Sequence, residues 1–366
     1  MTNEESFRLY ASPTIMTTDI ASTGKPKPID INTIRPVLSA EDYIALITFL
    51  SYAIPVVAII GIASNFFVIV ICKKIGGSET INISYMALGI SDLMASVIRL
   101  WGALCFAFIV TNTKLPFEPR SLSVPTSFFP GQGFDKTTAF ITAFIALERC
   151  LCVQFPLHVK RIVTKRKTLF AIVIIYLFGF GPSNLSFIGF PFKWVFSSVQ
   201  NRTILAAIPL ETPLRYIISR GLLAYYGTIL HFTALIIVWI CTIFLAVGMN
   251  KMAMTRQEYF KHSISKEDKQ KELRVIKAVF LLAVTYLACS TPSAATLLVP
   301  HFEPEFTSSK GLKRISIVCH LSSALLTQMN SSANFFILLY VGSKYRQVFL
   351  GLFGKKSLGF KNVPEQ

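Results

Sequence analysis

The chain contains neither an HExxH nor a GxSxG motif, and its five histidines, His158, His231, His262, His301 and His320, are scattered along it. Neither a zinc-hydrolase centre nor a serine nucleophile elbow can be assembled from such a pattern, so the chain is not expected to be an enzyme. Charge is also scarce. Asp, Glu, Lys and Arg together make up 15% of the 366 residues, against 52% hydrophobic, whereas a soluble domain carries about 25% charged residues. Repeats and matching interrupted segments, the mark of many transporters, are absent. Residues 1–42 have no apolar core of signal-peptide type, so the first apolar segment is expected to act as its own insertion signal.

What is present is a series of windows long enough to cross a bilayer, for which a helix needs about 20 residues. Five carry no Asp, Glu, Lys or Arg: Ile44 to Cys72, Thr168 to Phe192, Gly221 to Asn250, Ala278 to Pro300 and Ile315 to Ser343. Two more carry charge: Ile81 to Val110 with Asp92 and Arg99, and Val124 to Val153 with Asp135, Lys136, Glu148 and Arg149. The expected fold is an all-α membrane protein with seven spans. On one side of those spans lie 20 bases and 6 acids, on the other 13 bases and 10 acids, and the positive-inside rule then places the N-terminus outside. Most of the net charge of +17 is expected to face the cytoplasm, where anionic lipid and a cytosolic partner account for it without nucleic acid. The stretch Thr111 to Pro130, with Pro116, Pro119, Pro125 and Pro130, is expected to be an irregular outer loop. Of the seven cysteines, only Cys105 and Cys319 could pair near the outer face; the alternative is that both are small buried apolar residues.

Ordered signatures along these windows carry a resemblance. They are "GIASN" (Gly61 to Asn65), "LGISD" (Leu88 to Asp92), "ERCLCVQFP" (Glu148 to Pro156), "CSTP" (Cys289 to Pro292), "NSSANFFIL" (Asn330 to Leu338) and the amphipathic "SKYRQVFLGLF" (Ser343 to Phe353). Their order resembles that of rhodopsin-like (class A) G-protein-coupled receptors, and the finer texture looks like molluscan peptide-type or chemosensory-type receptors. The resemblance implies a tail over residues 1–43, a seven-helix bundle over 44–342, an amphipathic surface helix over 343–353 and a cytoplasmic tail over 354–366. It also implies a plasma-membrane receptor in which an extracellular ligand, taken to be a neuropeptide, activates a heterotrimeric G-protein. The alternatives are a chemosensory receptor for small external molecules and a signalling-silent seven-helix protein.

Departures from the pattern are several. Val124 stands where the family has an outer cysteine and the loop from Asn184 to Arg220 has none, so the family's common disulfide is missing. Ser290 replaces the helix-six tryptophan beside the hinge Pro292, Phe335 and Leu338 replace the proline and tyrosine of helix seven, and the fifth window has no proline. The seventh window has no lysine, which excludes a retinal-binding photoreceptor.

Charged groups inside such windows are functional candidates by default. Glu148 and Arg149 take the acid and arginine places of the family's latch, and by position Glu272 is the partner acid on helix six; the alternative is that Glu272 is one more solvated residue. Asp92 with Asn65, Thr138, Asn330 and Asn334 takes the place of the family's sodium site, a water-filled polar network being the other reading. Arg99 and Asp135 are expected near a ligand pocket or in an internal salt bridge. Lys136, about 100° away from Asp135 around the helix, is expected to turn toward helices four or five. His231, His320 and Gln328 are weaker pocket candidates. Asn201, in Asn201-Arg202-Thr203, is the expected glycosylation site, and the sparse phosphorylation candidates are Thr255, Ser263, Ser265 and Ser357. No cofactor is expected beyond a sodium ion at Asp92; the expected partners are the external ligand, a G-protein and membrane lipid.

Overall fold

The first apolar window becomes a helix whose two ends are both marked in the sequence. In the computed structural model, which describes residues 38–76, 80–111, 113–154, 163–198, 200–258, 266–303, 306 and 312–354, helix α1 runs Ala40–Ile75. Ser39 caps it by accepting from the Asp42 amide at 3.0 Å. Glu41 and Asp42 in the first turn and Lys73 and Lys74 in the last complement the helix dipole. Gly76, at φ 85°, then turns the chain out of the helix, a conformation glycine adopts without steric cost.

Helix α2 follows at Thr80–Val110. Helix α3, Pro119–Gln154, contains a wide π-turn at Val124–Phe128. Helix α4 is Lys165–Gly189, with a 3-10 turn at Gly181–Asn184. Helix α5 covers residues 213–258, with a second π-turn at Tyr225–Leu230. Helix α6 is Lys266–Phe302, helix α7 Lys313–Val341 and helix α8 Ser343–Leu352. Helix α1 packs on α2 and α7, α6 on α5 and α7, and α3 against α2, α4, α5 and α6. Helix α3 is therefore the centre of the bundle.

The surface is apolar and the interior polar. Phe49, Tyr52, Phe170, Leu177 and Trp239 are exposed, while Ser64, Asn65, Ser91, Asp92, Ser96, Gln328 and Asn334 are buried. That inversion suits a helix bundle in hydrocarbon, where the backbone is satisfied within each helix and polar side chains turn inward. Among the described residues six helices, α1 to α6, are long and apolar enough to cross a membrane. Helix α7, expected as the seventh, is 29 residues long but falls below that level of hydropathy, because its inner face is built of Ser316, Ser323, Gln328, Asn330, Ser331, Ser332 and Asn334.

The proline-rich stretch corrects an expectation. The irregular segment stops at Glu118, and Pro119 opens α3 at a first-turn position where no amide donor is needed. Pro125 lies within the π-turn and Pro130 continues in the helix. Of the two readings left open for Cys105 and Cys319, the structure has the free one: all seven cysteines are free thiols, and Cys105 is fully buried.

Between α4 and α5 the chain forms an antiparallel hairpin, β1 (Phe192–Ser197) and β2 (Arg202–Ala207). Backbone bonds tie it to the start of α3. The Glu118 amide donates to the Leu205 carbonyl at 2.8 Å and the Leu205 amide to the Pro116 carbonyl at 2.9 Å, while the Ala207 amide donates to Ser121 Oγ at 3.1 Å. These bonds join the two segments that the missing disulfide would have joined.

At the other end of the bundle, α8 is held by rings. Phe335 stacks on Phe67 and meets Phe349 edge-on, and Phe67 also touches Phe349 and Phe353. The Tyr345 hydroxyl donates to Asn82 Oδ1 at 2.8 Å. Residues 1–37 and 355–366 of the two expected tails, with Ser263, Ser265 and Ser357, lie outside the described residues.

Because the hairpin is tethered by amides alone, dithiothreitol will leave the thermal unfolding midpoint of the detergent-solubilised protein unchanged. Leu205→Pro, which deletes the donor to Pro116, will lower stability by about 1–3 kcal/mol.

Candidate functional site

Three polar clusters lie along α3. The one nearest the hairpin is built on Arg99 of α2. Its guanidinium forms an ion pair with the Asp135 carboxylate of α3 and donates to Gln328 Oε1 of α7 at 2.5 Å. Gln328, with no exposed surface, donates onward to Ser96 Oγ at 2.7 Å, and Ser96 to the Asp92 carbonyl at 2.7 Å. Helices α2, α3 and α7 thus share one charge-assisted network. Close packing of α1 makes room for it: a Cβ on Gly61 would stand 2.5 Å from Gln328 Nε2 and 2.6 Å from Ser96 Oγ. The glycine of "GIASN" is required by this approach.

Lys136, adjacent in sequence, points elsewhere. It is buried, and its Nζ lies 2.9 Å from His231 Nδ1 on α5. An ammonium can only donate, so Nδ1 accepts and the ring proton sits on Nε2, which is buried without a partner among the described residues. Arg99 is ion-paired with Asp135 and Arg149 with Glu148; among the described residues Lys136 has no ion pair and two of its three donors are unspent. His320 is exposed, so it is not an enclosed interior group.

The middle cluster is centred on Asp92. Thr138 donates to its Oδ1 at 2.8 Å and Asn334 to its Oδ2 at 2.7 Å. The other two expected members do not bond to it. Asn65 donates instead to the Gly61 and Ser331 carbonyls at 2.9 and 3.2 Å, and Asn330 is buried with its amide oxygen unpartnered among the described residues. The set supplies a carboxylate, a hydroxyl and nearby amide oxygens, the hard oxygen donors that suit a cation such as sodium. Ser290 is buried on α6 two residues from Pro292, which sits inside the helix.

The third cluster lies at the α8 end. Glu148 is almost wholly enclosed and accepts from Arg149 at 2.8 Å and from Thr80 Oγ1 of α2 at 2.5 Å. Arg149 is therefore held by its neighbour. The side chain of Glu272 lies outside the described residues, so the expected cross-helix partner is neither placed nor displaced. Asn201 is exposed in the hairpin turn, at φ 50°.

Three contributors escaped the sequence reading. Ser91, Ser96 and Thr80 all join these clusters, and for the first two a signal existed: Ser84, Ser91, Asp92, Ser96 and Arg99 fall at helical spacing on one face of α2. Thr80, the first residue of its helix, gave none.

Asp135→Asn will leave the part-buried Arg99 without its counter-charge and cost about 3 kcal/mol, the lower end for a broken buried pair, whereas Arg99→Met with Asp135→Leu will recover most of that loss. Thermal denaturation of the two variants measures it; a cost below about 1 kcal/mol for Asp135→Asn would identify a solvated pair instead.

The chain matches a family model described as serpentine type 7TM GPCR chemoreceptor Srw over residues 51–356. No curated protein matches it. The matched span runs from within α1 to beyond α8 and takes in all three clusters, and it supplies the seventh membrane helix that hydropathy alone leaves uncounted. A chain of apolar-surfaced helices around a polar axis, matched over most of its length, is a multi-pass membrane protein, and it belongs to the serpentine type 7TM GPCR chemoreceptor Srw family.

Proposed function

We propose that this chain is a chemosensory receptor of the plasma membrane, N-terminus outside, which detects a small external molecule bearing an acidic group and passes the signal to a heterotrimeric G-protein. The observation that carries the ligand class is Lys136. A buried ammonium whose hydrogen-bond partner is a neutral imidazole keeps two donors for an oxyanion. The nearest acid in sequence, Asp135, is already committed to Arg99. The chemoreceptor family fits this reading better than a neuropeptide agonist does, the latter resting on the resemblance in the helix motifs alone.

In this reading ligand binding between α3 and α5 biases a two-state bundle, as any ligand with unequal affinity for two conformations must. Arg149, held by Glu148 in the resting state, would be handed to the G-protein when α6 moves, with Glu272 as the acid it leaves. Asp92, with the Thr138 hydroxyl, would hold a sodium ion between the two ends.

The test is a G-protein dissociation assay in cells, with short-chain carboxylates compared with the matched alcohols and amines. Carboxylates are expected to activate. Lys136→Met should weaken them by about 10–100-fold, the loss of one charged hydrogen bond, with Lys136→Arg retaining part of the response. Arg149→Ala should abolish signalling and Glu272→Ala raise the basal level. Activation by amidated peptides with no carboxylate response would reinstate the neuropeptide reading.

A further inference from the structure

The hairpin between α4 and α5 carries a row of exposed aromatics on one face, where the protein covers Ala207 of β2 but not the rings of β1. In its register Phe192 pairs with Ala207, Trp194 with Leu205 and Phe196 with Thr203. Alternate residues of a strand share a face, so the three aromatics of β1 point the same way. The opposite face carries Ile204 and Ala206 of β2, both buried against the protein. Phe192, Trp194 and Phe196 therefore point away from the bundle, and they are 42%, 66% and 65% exposed.

An aromatic triplet of that size is out of place in water, and what it adjoins says what covers it. The ring of Phe187, at the end of α4, lies 6.0 Å from that of Phe192. Helix α4 is a candidate membrane span, and its residues Leu177, Phe178, Leu185 and Ile188 are exposed apolar surface. The apolar surface thus continues from the lipid-facing side of a spanning helix onto the outward face of the hairpin. The turn, with exposed Asn201 and Arg202, is polar and stays in water.

The geometry points to a membrane-docked hairpin: Phe192, Trp194 and Phe196 rest in the interfacial layer of the leaflet on the hairpin side of the bundle, where aromatic rings with mixed surroundings accumulate. Depth is limited by the polar turn, so the rings lie at the level of the headgroups and upper acyl chains. Because β2 is bonded to the start of α3 through Glu118 and Leu205, the lipid surface is mechanically connected to the central helix. This inference does not depend on the ligand or on G-protein coupling.

Trp194 is one of three tryptophans in the chain, which makes the proposal directly readable. The full chain with Trp101→Phe and Trp239→Phe, reconstituted in lipid nanodiscs, leaves Trp194 as the only indole. Phospholipids brominated high on the acyl chain are expected to quench its emission by at least half, and acrylamide in the aqueous phase to quench it several-fold less than it quenches free tryptophan. Bromolipid quenching below half, or acrylamide quenching equal to that of free tryptophan, overturns the proposal and leaves the face for a ligand or a protein partner. Should Trp101→Phe not fold, since its indole donates to Thr126 Oγ1 at 2.9 Å, the difference in quenching between the wild type and Trp194→Phe measures the same quantity.

Discussion

A polar side chain between helices that face hydrocarbon must find its partner inside the bundle, because the surrounding lipid offers none. The Arg99 guanidinium is where this constraint acts most strongly. Its ion pair with Asp135 and its bond to Gln328 draw α2, α3 and α7 together, and Gln328 in turn dictates a glycine at position 61 of α1. Four helices are thereby positioned by one cation. Apolar contacts fill the space around this network, but contacts among Leu, Ile and Phe are nearly as favourable with lipid as with protein. The polar seam is what makes the arrangement specific.

The hairpin shows a different economy. Where related receptors are expected to staple an outer loop to α3 with a disulfide, this chain has Val124 and no partner cysteine. Its substitute is three amide bonds, from Glu118, Leu205 and Ala207. A covalent bridge holds regardless of strand register; amide bonds hold only while the register of β1 and β2 is correct. The stability of the hairpin and its position over the bundle are therefore one property.

Much of the bundle was legible in the sequence because hydropathy and charge act over twenty residues at a time. The same averaging hid α7: its buried serines, asparagines and glutamine look hydrophilic in sequence although they face inward. Proline misled for a local reason. Pro119 sits at a helix start, where no amide donor is needed, and Pro125 within a π-turn, so a cluster that reads as a loop continues as helix. Within the site, the Arg99–Asp135 pair and the direction of Lys136 follow from the 100° step between neighbours on a helix, whereas the diversion of Asn65 to the Ser331 carbonyl depends on how α1 meets α7, which no local pattern encodes.

The aromatic knot at the α8 end has a mechanical consequence. Phe67, Phe335, Phe349 and Phe353 interlock α1, α7 and α8 through faces and edges of rings, and Tyr345 fastens the same body to Asn82 of α2. Packed rings slide poorly past one another. These four helices accordingly behave as a chassis, whereas α3, α5 and α6 meet on the other side through a cluster that includes small residues, at Ala143, Ala234, Ala283 and Ala294. A lever bolted to such a frame transmits its stroke through the far side alone.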